Sequence, residues 1–278
     1  VVGTIEESVT VLLKDYGETT EDRYSPGWQA WNHTIFANLT CDLNGNAGEV
    51  DGSIFANGLV KATGGLNYSE PVEVMSATKI ETTGNSSSTG TLTAPDVTVE
   101  NGPVAGLVET EEAVENITFP EMDFLALYNE AVATGLVDPP LAGGASPVDD
   151  FSGVSVVWFN GDARFKGDLV FDGKIVATGD IRVAGNATIS DPSAMGEILS
   201  RDGGISVTGN ADVQGLLYAP GNIKIAGTPK MEGQIVSGAN VKLAGNIDVI
   251  TYKDTGHGPA SFEPGENPDL VGIVAWLE

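Results

Sequence analysis

The chain has 278 residues, among them 36 glycines, and 41% of it is apolar, so it is neither disordered nor poor in core-forming side chains. Thirteen Lys+Arg against 39 Asp+Glu give a net charge of −26, a surface that repels nucleic-acid phosphate and anionic lipid and can attract divalent cations such as Ca2+. Cys41 is the only cysteine, which excludes an intrachain disulfide, a CxxC zinc site and a thiol redox pair, and leaves it the role of a small core residue.

Residues 1–31 read as an N-terminal strand and capping segment. The chain opens at Val1 without methionine, as a processed or trimmed product would. Val9–Lys14 alternates like a strand, and Trp28 and Trp31 are expected to cover a rod end. Residues 32–106 carry a loose repeat. Ile35-Phe-Ala-Asn38 returns as Ile54-Phe-Ala-Asn57, and hexads run from Gly52 to Met75, loosen through Thr82–Gly90 and recover at Thr91–Val99. About four irregular coils fit this stretch.

Residues 107–154 differ. Phe119–Gly135 begins with proline and acids and ends with glycine, the start and stop signals of a helix. Phe124, Leu127, Tyr128, Ala131 and Val132 fall on one face, which predicts packing against a flank of the rod, with a partner-binding helix as the alternative. Asp138–Asp150, rich in proline and glycine, reads as a loop.

From Ser155 to Ile250 the chain divides into 16 hexads. Glycine holds position one in 12 of them, Asp or Asn holds position two in 8, and positions three and five are apolar in 14 each. Apolar residues two apart face one side of a strand, and Gly-Asx makes a corner. Strand and corner in alternation predict an all-β, single-stranded parallel β-helix. Its coils would be triangular, of about 18 residues, with rungs about 4.8 Å apart, and one short α-helical insertion would interrupt them. About five coils here and four upstream make a rod roughly 45 Å long.

Three-hexad stacking predicts interior files Phe171, Ile189, Val207, Ile225, Leu243 and Ala177, Met195, Val213, Met231, Val249. A third file, Phe165, Val183, Arg201, Ala219, Ser237, puts an arginine where it cannot be buried, so a bulge or loop is expected near Asp191–Asp202. The corner file Asp168, Asn186, Gly204, Asn222, Asn240 reads as an Asx ladder. Residues 251–278 would form a C-terminal cap, with Val271–Leu277 over a rod end.

The search for catalytic chemistry is short. His33 and His257 lie outside the regular hexads, so the histidine base of hexapeptide acyltransferases has no counterpart. Asp162, Asp168 and Asp180 are corner residues of hexads, and Lys224, Lys230 and Lys242 face outward. The expectation is a non-enzymatic protein with no cofactor. Asn-x-Ser/Thr sequons at Asn32, Asn38, Asn67, Asn85 and Asn116 offer acceptors for N-glycosylation and point to export; a sixth, at Asn186, falls in the ladder.

Three segments, Val156–Asp162, Ile175–Ile181 and Gly215–Asn222, resemble the Gly/Asn-rich β-helical ectodomain of PilX-type pilus-assembly proteins. The helix opening Phe119-Pro-Glu-Met-Asp and the ending Gly272–Glu278 fit the same group. The resemblance implies a prokaryotic cell-surface protein, pilus-associated or filament-forming, that displays loops for assembly or adhesion. Its partners would be other copies of itself, pilus subunits or surface carbohydrate, with no nucleic acid. The pilin-like membrane helix of that group is not in this sequence, so membrane contact would come only through a further segment. The family carries no catalytic residues to transfer. The alternatives are a β-helical polysaccharide-binding or -cleaving protein and, by a weaker resemblance to bactofilins, an intracellular filament protein. The sequons and the helical insertion argue against the last.

Overall fold

The computed structural model describes residues 27–68, 73–84, 87–88, 91–100, 107–109, 114–138, 156–166, 169–171, 173–189, 196–228, 230–246 and 249–252. They form a β-solenoid of about eight turns in which every paired strand is parallel, with a single α-helix among the described residues, Phe124–Thr134 (α1). Each turn has three faces, as the hexads require.

The turns are not stacked in chain order. The second half of the chain lies first along the rod, and its last turn meets the first turn of the N-terminal half. Ile35, Phe36 and Ala37 stand opposite Ile235, Val236 and Ser237, and Cys41 and Leu43 opposite Val241 and Leu243. Backbone hydrogen bonds cross this junction as they cross any other, among them Ile235 N to Thr34 O at 2.8 Å and Val241 N to Thr40 O at 2.9 Å. Along the axis the rod therefore reads 156–252 followed by 35–109, a circularly permuted solenoid.

An unbroken interior file shows the continuity. Val157, Ile175, Ile198, Leu217, Ile235, Ile35, Ile54, Val74 and Leu92 lie on successive rungs, all buried. Burying each such side chain contributes about 1.5–3 kcal/mol against conformational entropy of similar size. Cys41 sits in a second file between Val241 and Val60, fully buried. Burial, and then the nearby Asp42 charge, push its thiol far above the ordinary range, so it is an inert core residue.

The stacking step is not constant. Ile205 is opposite Ile223, three hexads on, but Ile181 is opposite Ile205, four hexads on. The extra hexad falls in the Asp191–Asp202 neighbourhood expected to bulge. Two of the predicted files are thereby spliced. Val183 meets Val207, Ile225 and Leu243, whereas Phe171 and Ile189 continue through Val213 and Met231 to Ile250. Arg201 leaves the interior for an exposed corner, paired with Asp202. Met195 lies outside the described residues. In the N-terminal half the successive steps Cys41–Val60, Val60–Ile80 and Ile80–Val97 are all unequal, the irregularity the loose repeat implied.

Leu107–Glu109 pairs with Leu92–Ala94 and so belongs to the rod rather than to the insertion. Beyond it, residues 114–138 return along the outside of one face. The side-chain amide of Asn57 pairs with this ribbon as a backbone would, accepting from Ile117 N at 2.8 Å and donating to Ile117 O at 2.7 Å. Farther along, the Tyr218 hydroxyl donates to Pro120 O at 2.7 Å. Helix α1, with Asp123 accepting from Ala126 N at 3.0 Å and Gly135 ending it, then lies on Trp158. Leu136–Asp138 finally bonds the edge of Val156–Phe159, closing that face of the rod end.

This ribbon explains why one face is apolar on both sides. Trp158, Val176, Leu199, Tyr218, Val236, Phe36 and Phe55 point outward on successive rungs, yet all are buried, beneath α1, Phe119, Ile117 and Trp31. Packing of α1 on a flank is as expected, through Leu127 and Ala131, but Val132 and part of Tyr128 remain exposed. Trp31 does not cover a rod end. It is buried at mid-rod on this outer layer, stacked on Tyr218, with its carbonyl and that of His33 bonded by the buried Gln234 amide. The segments Val9–Lys14, Asp138–Asp150 beyond Asp138, and Val271–Leu277 lie outside the described residues.

Candidate interaction surfaces

The corner residues at hexad position two do form a ladder, which keeps Gly204, Asn222 and Asn240 of the expected file but is led by Asp162 and Asp180. Asp162 Oδ1 accepts from Asp180 N at 3.0 Å, and Asp180 Oδ1 from Gly204 N at 2.9 Å. Past Gly204, Asn222 Oδ1 accepts from Asn240 N and Nδ2 at 3.2 and 2.8 Å, and Asn240 Oδ1 from Thr40 N at 3.1 Å. The ladder thus crosses the junction into the other half of the chain. Asn186 stands opposite Asn210, on another corner, and Asp168 lies outside the described residues. Buried serines brace the same corner: Ser200 and Ser237 each donate to a glycine carbonyl one turn back at 2.8 Å. Asp162 and Asp180 therefore spend one carboxylate oxygen each on backbone amides.

The remaining sequence-singled residues are dispersed. Asn32 and Asn116 are exposed. The Asn38 amide is engaged, donating to Gly238 O at 3.1 Å and accepting from Asn57 at 2.7 Å. Asn67 lies in a strand, and Asn85 and His257 lie outside the described residues. His33 is buried against the Phe55 ring, its Nδ1 2.9 Å from Ser53 Oγ. Burial lowers its pKa from 6.5 to about 4. The sign follows: the unfolded histidine takes up a proton as pH falls through 6.5 and the folded one does not. The His33 contribution is thus complete above 6.5 and is lost between 6.5 and about 4, amounting to about 3 kcal/mol. Urea unfolding of His33→Asn beside the unmodified chain checks this: the variant gains that amount, relative to its parent, between pH 7 and pH 4.

Among the described residues no three His, Cys, Asp or Glu side chains gather to hold a metal ion, and no helix is long and apolar enough to cross a membrane. What the rod does present is a flat charged face. On successive rungs its outward residues are Arg164, Arg182, Ser206, Lys224 and Lys242, continued across the junction by Asp42, Lys61 and Glu81. Beside this rail runs a file of short side chains, Ala184, Thr208, Ala226 and Ala244. A groove of about 480 Å³ opens at mid-rail, lined by Arg182, Ser206, Lys224, Asp180, Asp202 and Asn222. Arg164 and Arg182 reach the spare oxygens of Asp162 and Asp180 at 3.4 and 3.5 Å, and Lys242 reaches Asp42 at 3.2 Å. These are exposed contacts worth little. Lys224 is exposed with no ion pair among the described residues, and Lys230 lies on the third face, opposite Asp212.

Comparison with protein-family models, with curated proteins and with solved structures finds no match.

Proposed function

We propose that this chain is a non-enzymatic, extracellular β-solenoid of a prokaryotic cell surface, pilus-associated or filament-forming, whose rod presents its faces for assembly or adhesion. The observation that carries the reading is the permuted stacking. The entry of the chain into the rod at Thr34–Ala37 and its last described strand, Val249–Tyr252, both lie where the two halves meet. A protein mounted through a preceding segment would be held at its waist, with both rod ends and the charged face turned outward. The likeness of Val156–Asp162, Ile175–Ile181 and Gly215–Asn222 to PilX-type ectodomains supports it, as do the exposed sequons Asn32 and Asn116.

Immunogold labelling of source cells with antibody to the rod tests the location: label is expected on the cell surface and on sheared surface filaments, and label confined to the cytosol overturns it. The non-enzymatic part is tested by incubating the protein with neutral and acidic polysaccharides. No cleavage is expected; turnover lost in Asp162→Asn or Asp180→Asn would defeat the scaffold reading.

A further inference from the structure

We infer that the two halves of the rod exchange between copies. The edge formed by Ile235–Ser237, Val241–Gly245 and Val249–Ile250 of one chain is a docking surface for Ile35–Ala37, Cys41–Gly45 and Glu49–Val50 of a second copy. The inference rests on the stacking alone and stands whatever the location of the protein.

Complementarity is the first argument. This edge already receives those strands from its own chain, parallel and in register on all three faces. The partners are nonetheless 200 residues apart, so nothing in the rung itself decides which copy supplies them. Each half is also a stack of its own. Strands between Ile35 and Glu109 pair with one another, as do those between Val156 and Tyr252, so either half keeps an aliphatic interior when the junction opens. Opening bares hydrogen-bonding edges on both, a template for the strands of another chain. The contacts that close the junction form equally well between chains: Trp31 on Tyr218, the Asn38 amide on the Gly238 carbonyl, Thr40 N on Asn240 Oδ1, and Lys242 with Asp42.

The connector is the second. The halves are joined covalently only through the chain between Glu109 and Val156, which crosses from one to the other at Thr118 and Phe119. Ile117 is fastened to the N-terminal half by Asn57, and Pro120 to the C-terminal half by Tyr218. From Tyr218 through Val236 and Phe36 to Phe55, on the rung that ends in Asn57, is three rungs. Three rungs are about 14 Å, and the three residue steps from Ile117 to Pro120 reach at most about 11 Å. The Asn57 and Tyr218 side chains make up the difference, so the crossing has no slack. A short hinge of this kind favours exchange, because an opened chain relaxes it. A groove of about 620 Å³ lies against it, lined by Leu39, Gly58, Ile117 and Thr118 among others. Neither Thr118 nor Phe119 makes a hydrogen bond among the described residues, so lifting the crossing breaks no rung.

The chain carrying Asp42→Cys, Lys242→Cys and Cys41→Val reads the exchange directly, since its disulfide joins whichever copies meet at the junction. It is unfolded in urea, refolded at about 1 µM and at about 1 mM, far below and close to the effective concentration of a short tether, and oxidised. Non-reducing gels are expected to show single chains at the lower concentration. At the higher one the interchain fraction should rise at least about tenfold, as a ladder from dimer upward. Light scattering of the unmodified chain after the same treatment is expected to show the same species. A Gly-Ser insert after Thr118 should lower the interchain fraction severalfold and deletion of Thr118 should raise it, although neither touches a rung. Single-chain disulfides at both concentrations, free thiols throughout, or a ladder indifferent to the length of the crossing would overturn it.

Discussion

Gly227→Ala is expected to destabilise the rod by about 3 kcal/mol or more, whereas Gly161→Ala costs about 1–2 kcal/mol. Both glycines have positive φ, +119° and +106°, so an added side chain strains the backbone at either. They differ in what that side chain meets. A Cβ on Gly227 would lie 2.3 Å from the Gly209 carbonyl oxygen one rung back, and one on Gly161 would meet nothing within 4 Å. The offending atom is backbone, already set by the ladder, and cannot step aside without opening a rung. The same approach recurs at Gly245, Gly45 and Gly64, a glycine file that runs through the junction of the two halves. Urea midpoints of the two variants measure the difference, and equal losses would show that φ alone makes these positions glycine.

A cross-link between positions 42 and 242 should add still more. Asp42 and Lys242 are register partners on adjacent parallel strands, both pointing outward. Adjacent strands lie about 4.8 Å apart, within the span of a disulfide, so Asp42→Cys with Lys242→Cys, in a Cys41→Val background, should oxidise without backbone movement. It closes a loop of about 200 residues, for which chain-entropy arguments give about 5 kcal/mol. Asp42→Cys with Lys224→Cys, two rungs apart, should stay reduced. Migration on non-reducing gels and the thermal midpoint before and after reduction read the result. Free thiols in the first pair would mean that the halves do not meet end to end.

How legible was this fold? The solenoid itself was, because Gly-Asx corners and inward positions three and five are local rules that most hexads obey; Glu197–Asp202 breaks them, with Ile198 at position two inward and Leu199 outward. The return of Ile35–Asn38 at Ile54–Asn57 is likewise a true register pair, Ile35 on Ile54. The stacking was not, because hexad phase is blind to how many hexads make a turn. The four-hexad step keeps the phase of Ile181 and Ile205 while moving Asn186 to another corner. The permutation left no local trace either: a strand edge accepts any parallel neighbour of the right pattern, and only the meeting of strands from opposite halves of the chain reveals it.

Both special faces had a signal in hexad position four, read one turn at a time. Trp158, Val176, Tyr218 and Val236 recur on one face and mark the layer under the ribbon; Arg164, Arg182, Lys224 and Lys242 recur on the next and make the rail. Averaged over all hexads, the two cancel into an apparently polar position. Trp31 was misplaced for a related reason: an aromatic beside a solenoid suits an end or a flank equally, and only Tyr218, from the other half of the chain, decides.

The returning ribbon has one more consequence. In an open-ended solenoid, duplicating a coil simply lengthens the stack. Here the chain between Glu109 and Val137 links the rung of Leu107–Glu109 to that of Trp158, the two outermost rungs among the described residues. Every inserted turn would demand about 4.8 Å more of that tether, or tear α1 from Trp158. The connection acts as a ruler, and gene-level growth of this array is checked by a segment that is not itself part of the repeat.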